Sequence, residues 1–210
     1  MNKNIETRIF KPTEELSFRA EEVDDKRFIS GYAAVFNHPS KLLYENNKFF
    51  NEVIAPGAFD EVLRSENLNV IFTFNHMKDK ILARSVSGTL ELSTDDKGLH
   101  YRAEVPNVSY ANDVFELVKR GDLFESSFAY AVTRDNQEWT RSEDGTNIRT
   151  IKKVSYLADV SVVINAVYST TDTEVAVRML KETIEKPDTK DKQRLNNEIE
   201  ILKIKNKIIK

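Results

Sequence analysis

A chain of 210 residues, 40% hydrophobic and 31% charged, has the length for one domain with an appendage and the composition of a packed globule, which excludes a purely solvating chain. Its formal charge of -3, with no basic face outside the last residues, gives no electrostatic case for a nucleic-acid groove. Cysteine is absent, which excludes disulfides, thiolate metal sites and a cysteine nucleophile, so any covalent nucleophile is an oxygen or a lysine.

The first residues, Met1 to Glu6, lack the apolar stretch of a signal peptide. No run approaches the roughly 18 apolar residues needed to cross a bilayer, so the expectation is a cytoplasmic protein with no membrane partner. Residues 1–26 are read as an N-terminal segment. From Arg27 to Phe36 the alternation predicts a strand covered on both sides, with Phe28, Tyr32, Ala34 and Phe36 on one face and Ile29, Ala33 and Val35 on the other. Residues 38–50 read as a loop or hairpin. Pro56 then suits the first turn of a short helix, where its missing N–H has no partner to lose, and Phe59, Val62 and Leu63 fall on one side of it.

Val70 to His76 alternates so that Val70, Phe72, Phe74 and His76 share a face if the strand holds to its end. Residues 88–106 predict a hairpin turning on Asp95-Asp96-Lys97-Gly98, with Leu99, Tyr101, Ala103 and Val105 facing inward. Between Tyr110 and Arg120 the period becomes helical: Val114, Leu117 and Val118 form the stripe, and Gly121 can take the left-handed cap. Ser126 to Val132 alternates again, with Ser127, Ala129 and Ala131 on the small-residue side. Gly145 turns a further hairpin, and Tyr156 to Ile164 makes a last apolar strand carrying Asp159. Beyond about Thr170 helix formers and charge take over, and Leu195, Ile199, Leu202 and Ile209, with Asn206, keep the spacing of a short coiled-coil seam. Strands with one or two inserted helices and a helical tail favour a mainly β fold, a small barrel or closed sheet, over a doubly wound α/β fold.

The three histidines are the short list of general bases. His100 shares its side of the strand with Arg102 and Glu104 and reads as a solvated residue; His38, before Pro39, reads as a turn residue. His76, at the rim of an apolar face, has an ordinary structural reading beside a functional one. No H-x-x-x-H or H-E-x-x-H spacing suggests a metal, and no G-x-S-x-G elbow, phosphate loop or dinucleotide fingerprint occurs, so no cofactor is expected. A serine enzyme without the elbow stays open.

Six blocks in order carry a resemblance: ISGYAAVFN at 29–37, NEVIAPGAFDEVL at 51–63, FNHMKDKILAR at 74–84, GTLELSTDDKGLHYRAEVP at 88–106, DVFELVKRGDLFESSFAYAV at 113–132 and LADVSVVINAVYSTTDTEV at 157–175. Together they resemble the prohead maturation serine proteases of tailed phages, a family related in fold to the herpesvirus assemblin proteases. The resemblance spans most of residues 27–175 and implies a β-barrel with inserted helices there, while the composition predicts a helical, lysine-rich tail at 176–210. It implies that the histidine of the Asn-His pair, here His76, is the catalytic base and that the serine before Phe128, Ser127, is the nucleophile. Ser126 is a rival, since a register slip of one residue turns it to the opposite face. Asp159 stands where the family usually has glutamate, and either orients the histidine or serves as a structural carboxylate. Asn165 and Ala129 also depart from the family's usual proline and glycine.

By the same resemblance the substrates are the scaffold segment of the major capsid protein or a separate scaffold protein, and the protease itself, inside an assembling prohead in the host cytoplasm. A homodimer, as in the herpesvirus relatives, is left open. The oxyanion would be held by backbone N–H groups or by an arginine; Arg134, Arg141 and Arg149 are available but read as surface residues. The tail, with Lys203, Lys205, Lys207 and Lys210, either docks on scaffold helices, is shed by self-cleavage or is a solvated end. Two other readings stand beside this one: a catalytically inactive capsid-assembly or scaffolding factor, and a peptidase that processes only itself.

Overall fold

A computed structural model describes residues 4–164 apart from 12–15, 17, 46–47 and 144. The chain divides into two units, Met1–Ile164 and Asn165–Lys210, and every described residue belongs to the first. The expectations for the tail at 176–210, its seam and its lysines, and for residues 165–175 of the protease domain, lie outside the described residues.

Strands dominate, as expected for a mainly β fold with inserted helices. In chain order they are β1 (Glu6–Phe10), β2 (Arg19–Val23), β3 (Lys26–Val35), β4 (Leu43–Glu45), β5 (Lys48–Ile54), β6 (Ile71–Phe74), β7 (Ile81–Arg84), β8 (Leu90–Thr94), β9 (Gly98–Val105), β10 (Glu125–Ala131), β11 (Gln137–Arg141), β12 (Asn147–Ile151) and β13 (Tyr156–Val163). A one-turn helix, α1 (Asp60–Leu63), lies between β5 and β6, and α2 (Ser109–Arg120) joins β9 to β10. The strands form three sheets, ordered β1-β10-β13-β6-β7, β11-β12-β5-β4 and β2-β3-β9-β8. β13 runs parallel to β6 and β12 parallel to β5, while the remaining pairs are antiparallel.

Local sequence accounts for most of these elements. On β9, Leu99, Tyr101, Ala103 and Val105 are buried, as the alternation requires. α2 buries Ala111, Val114, Phe115 and Val118 and ends at Gly121, whose φ of 84° is the left-handed cap that glycine adopts without a Cβ clash. Gly98 has another reason: a Cβ there would lie 2.0 Å from the carbonyl oxygen of Ala34, so no side chain fits where β9 starts against β3. α1 begins at Asp60, four residues after Pro56, because Gly57 has a φ of 79° and no right-handed helix continues through it. Phe59 is nevertheless fully buried, and its ring meets Phe36 and Phe128.

The sequence reading starts the protease domain at Arg27, yet two strands of the described unit precede that residue. β2 pairs with β3, and β1 is an edge strand on β10. β1 is held by charge as well as by its ladder. Arg8 donates a fork to Glu52 on β5, Nε to Oε1 at 2.8 Å and Nη2 to Oε2 at 3.1 Å. Arg149 on β12 donates to Glu6 at 2.5 and 2.9 Å and to Glu52 at 2.9 Å, while the Tyr130 hydroxyl donates to Glu52 at 2.8 Å. This network ties the first sheet to the second. Burial works against the Glu6 charge, but the Arg149 and Arg8 guanidiniums outweigh it and hold the carboxyl below its ordinary value.

Candidate active site

Three hydroxyls stand in a row across neighbouring strands. Ser127 on β10 is the register partner of Ser161 on β13, and Ser161 is the register partner of Thr73 on β6. Residues paired across a ladder project to the same face, so all three side chains point one way, and all three residues are 0% exposed. Asp159 is two residues before Ser161 and therefore shares its face. The opposite face of the same strands carries Phe72, Phe128 and Val160 into the core, each almost fully buried.

By strict alternation His76 would join the face of Phe72 and Phe74, away from the hydroxyls. The strand does not hold to that point. β6 ends at Phe74, and Asn75 and His76 both take left-handed backbone conformations, with φ of 52° and 57°. Asparagine and histidine are among the few non-glycine residues that enter this region at modest cost. The turn is pinned to β13 from both sides: Asn75 N–H donates to the Val162 carbonyl at 2.9 Å, and its side-chain Oδ1 accepts from Ile164 N–H at 2.9 Å. Two successive left-handed residues carry the imidazole across to the hydroxyl face.

There the three residues singled out by the sequence come together. His76 Nε2 lies 2.7 Å from Ser127 Oγ, and Nδ1 lies 2.6 Å from Asp159 Oδ1. The imidazole spans them in series, with its side chain 27% exposed and that of Asp159 15% exposed. With the Nδ1 proton donated to the carboxylate, Nε2 is left as an acceptor facing the serine hydroxyl. The short aspartate side chain reaches the ring because β13 brings it close. Ser127 Oγ also lies 2.9 Å from the carbonyl oxygen of Arg8 on β1, so the one serine proton has two acceptors within reach.

The rival Ser126 faces the other way. It is fully buried, and its hydroxyl meets the Tyr101 hydroxyl at 3.1 Å on the core side. His38 is exposed in its loop. His100 is half-buried rather than solvated, since its ring packs edge-on to Tyr32 with centroids 5.2 Å apart, and burial pushes its pKa down. Arg134 and Arg141 are exposed as expected, but Arg149 is buried, because Glu6 and Glu52 neutralise it. With its guanidinium held by these carboxylates and by Gln137, it is not free to hold an oxyanion. Among the described residues no three His, Asp or Glu side chains are grouped to hold a metal ion.

Sequence reasoning missed two residues of the site, Ser161 and Thr73. Ser161 Oγ lies 3.0 Å from Asp159 Oδ1, 3.2 Å from His76 Nδ1 and 2.7 Å from Thr73 Oγ1. The available signal was a polar residue at an inward position of an apolar strand, two residues from the aspartate.

Comparison with known proteins adds a separate line. A family model described as caudovirus prohead serine protease matches residues 14–186. The chain is similar to the prohead protease of Enterobacteria phage HK97, 31% identical over 153 residues, which is 70% of this chain and 61% of that protein. The match therefore spans less than two thirds of the relative's length. Among solved structures, the bacteriophage T4 capsid assembly protease aligns over 76% of this chain and 97% of its own at a TM-score of 0.44 and 10% identity, a distant likeness.

Proposed function

The chain belongs to the caudovirus prohead serine protease family, and on that premise we propose that it is a serine endopeptidase with Ser127 as nucleophile, His76 as general base and Asp159 as the group that orients the base. The observation that carries the reading is the hydrogen-bonded series Asp159–His76–Ser127, with 2.6 and 2.7 Å at its two links. A serine hydroxyl is a weak nucleophile until its proton has an acceptor. As Ser127 Oγ attacks a scissile carbonyl carbon, its proton passes to His76 Nε2. The imidazolium then gives that proton to the departing amine as the C–N bond breaks, leaving an acyl group on Ser127. Water repeats the sequence, with His76 as base, and frees the serine. Asp159 keeps the Nδ1 proton in place and stabilises the imidazolium charge.

The substrates that fit this reading are the scaffold segment of the major capsid protein, or a separate scaffold protein, and the protease itself, cleaved inside an assembling prohead in the host cytoplasm. Support comes from the family membership and from the similarity to the prohead protease of phage HK97. The test is co-expression with the major capsid protein of the same phage, comparing wild type and Ser127→Ala by mass spectrometry of both proteins. Defined fragments in wild type alone are expected. Identical fragment patterns would overturn the peptidase reading in favour of an inactive assembly factor, and fragments of the protease alone would limit it to self-processing.

A further inference from the structure

We infer that Ser161 and Thr73 act as positioning residues, a two-hydroxyl relay that locks Asp159 and the His76 ring for proton transfer; this inference rests on the peptidase reading above. Ser161 touches both partners of the histidine's inner link, Asp159 Oδ1 at 3.0 Å and His76 Nδ1 at 3.2 Å, and it is held in turn by Thr73 Oγ1 at 2.7 Å.

The protons of this cluster have one assignment that gives every bond a donor. An ionised Asp159 only accepts, so the Ser161 hydroxyl donates to Oδ1. Its single proton is then committed, and the Thr73 hydroxyl must donate to Ser161 Oγ. His76 Nδ1–H points at the same carboxylate oxygen and grazes the Ser161 oxygen. Two neighbouring strands thus feed hydrogen bonds in one direction, from Thr73 on β6 through Ser161 to Asp159 on β13, and each bond polarises the next. Both residues are fully buried, and their hydroxyls bond to each other rather than to bulk solvent. Thr73 is suited to anchor such a relay, because its β-branched side chain restricts χ1.

The register makes this more than local packing. Ser161 is the ladder partner of Ser127 on one side and of Thr73 on the other. The imidazole therefore reaches the hydroxyl of β10 with Nε2 and the hydroxyl of β13 with Nδ1. The second contact fixes the ring in the plane that aims Nε2 at Ser127. An aspartate alone, meeting Nδ1 with one oxygen, leaves that rotation free.

The test reads the serine directly and needs no natural substrate. A fluorophosphonate probe forms a bond between Ser127 Oγ and phosphorus and expels fluoride while His76 takes the serine proton, so its labelling rate at Ser127, located by mass spectrometry, reports nucleophile activation. Wild type, Ser161→Ala, Thr73→Val, Thr73→Ser and the double variant Ser161→Ala/Thr73→Val are compared, with thermal melting measured on each. Ser161→Ala is expected to label about tenfold slower, the rate equivalent of one ordinary hydrogen bond. Thr73→Val, which preserves shape, should slow labelling by about threefold, less than Ser161→Ala because one bond lies between it and the carboxylate, and Thr73→Ser should restore the rate. In the double variant the rate should equal that of Ser161→Ala, since a relay already cut at Ser161 has nothing more to lose. Unchanged rates in both single variants, or effects that multiply in the double, would overturn the relay in favour of independent packing roles. Failure of wild type to label at Ser127 would instead bring down the peptidase reading, and the relay with it.

Discussion

His76 and Ser127 are 51 residues apart in the chain and 2.7 Å apart between Nε2 and Oγ. β13 makes this possible by separating β10 from β6 while leaving the turn after β6 long enough to arch over it. Removal of either end of the pair should therefore have the same consequence. Ser127→Ala, His76→Ala and the double variant are expected to lose cleavage to a similar extent, by a factor on the order of 10³ or more, with melting temperatures close to wild type, because members of a catalytic unit fail together. Fragment yield from the co-expressed capsid protein, read with circular dichroism on the purified variants, checks this.

Asp159 holds the ring by accepting from Nδ1. Asp159→Asn presents an amide that can donate there and so favours the wrong tautomer, and a loss of about 10³- to 10⁴-fold in probe labelling is expected. Asp159→Glu keeps the charge but must fold an extra methylene into a 2.6 Å contact, so its rate should fall between those of wild type and Asp159→Asn. The measurement is the labelling rate under identical conditions; equal rates for Asn and wild type would remove Asp159 from the mechanism.

At Asn75 the backbone has a φ of 52°, and the side chain caps Ile164. Alanine loses the cap and keeps a Cβ in the left-handed region, a strain of about 1–2 kcal/mol. Asn75→Ala is therefore expected to melt lower and to label more slowly, whereas Asn75→Gly relieves the backbone and loses only the cap. Paired melting and labelling curves should rank wild type first, glycine second and alanine last.

Glu52 is 3% exposed and faces Arg8, Arg149 and the Tyr130 hydroxyl together. Glu52→Leu leaves the two guanidiniums with Glu6 as the one carboxylate they still share, and a loss of about 3 kcal/mol is expected. Urea denaturation of the purified variant gives the number directly.

Glu6 supplies a pH dependence. Its folded pKa lies below the unfolded value, so it contributes stability that is present above the unfolded carboxyl pKa and is lost as pH falls through the folded one. Glu6→Gln should therefore melt below wild type at neutral pH, and the two curves should converge in acid. A constant gap at every pH would assign the difference to shape instead of charge.

Much of the fold was legible because burial imposes a period. The inward row Leu99, Tyr101, Ala103 and Val105 and the stop of α2 at Gly121 follow from local pattern. The short strands β1 and β2 did not announce themselves, since β1 turns Glu6 and Arg8 toward charged partners far along the chain and β2 is largely exposed. Arg149 reads as a surface residue until Glu6, 143 positions away, is placed beside it. His76, Ser127 and Asp159 were legible through family resemblance rather than periodicity. Periodicity alone would have sent His76 to the wrong face, because alternation cannot foresee where a strand ends. Ser161 and Thr73 stayed hidden because their meaning lies in register, a relation between strands that no single stretch of sequence contains.

The spatial order β10-β13-β6 differs from the order in which a ribosome releases these segments. The strand that lies in the middle is translated last of the three. Until it emerges, the imidazole and the nucleophilic hydroxyl have no common frame, and the carboxylate that polarises them has not been made. On the proposed mechanism a nascent polypeptide that lacks β13 would therefore be chemically silent, and cleavage would begin only once that strand has been made.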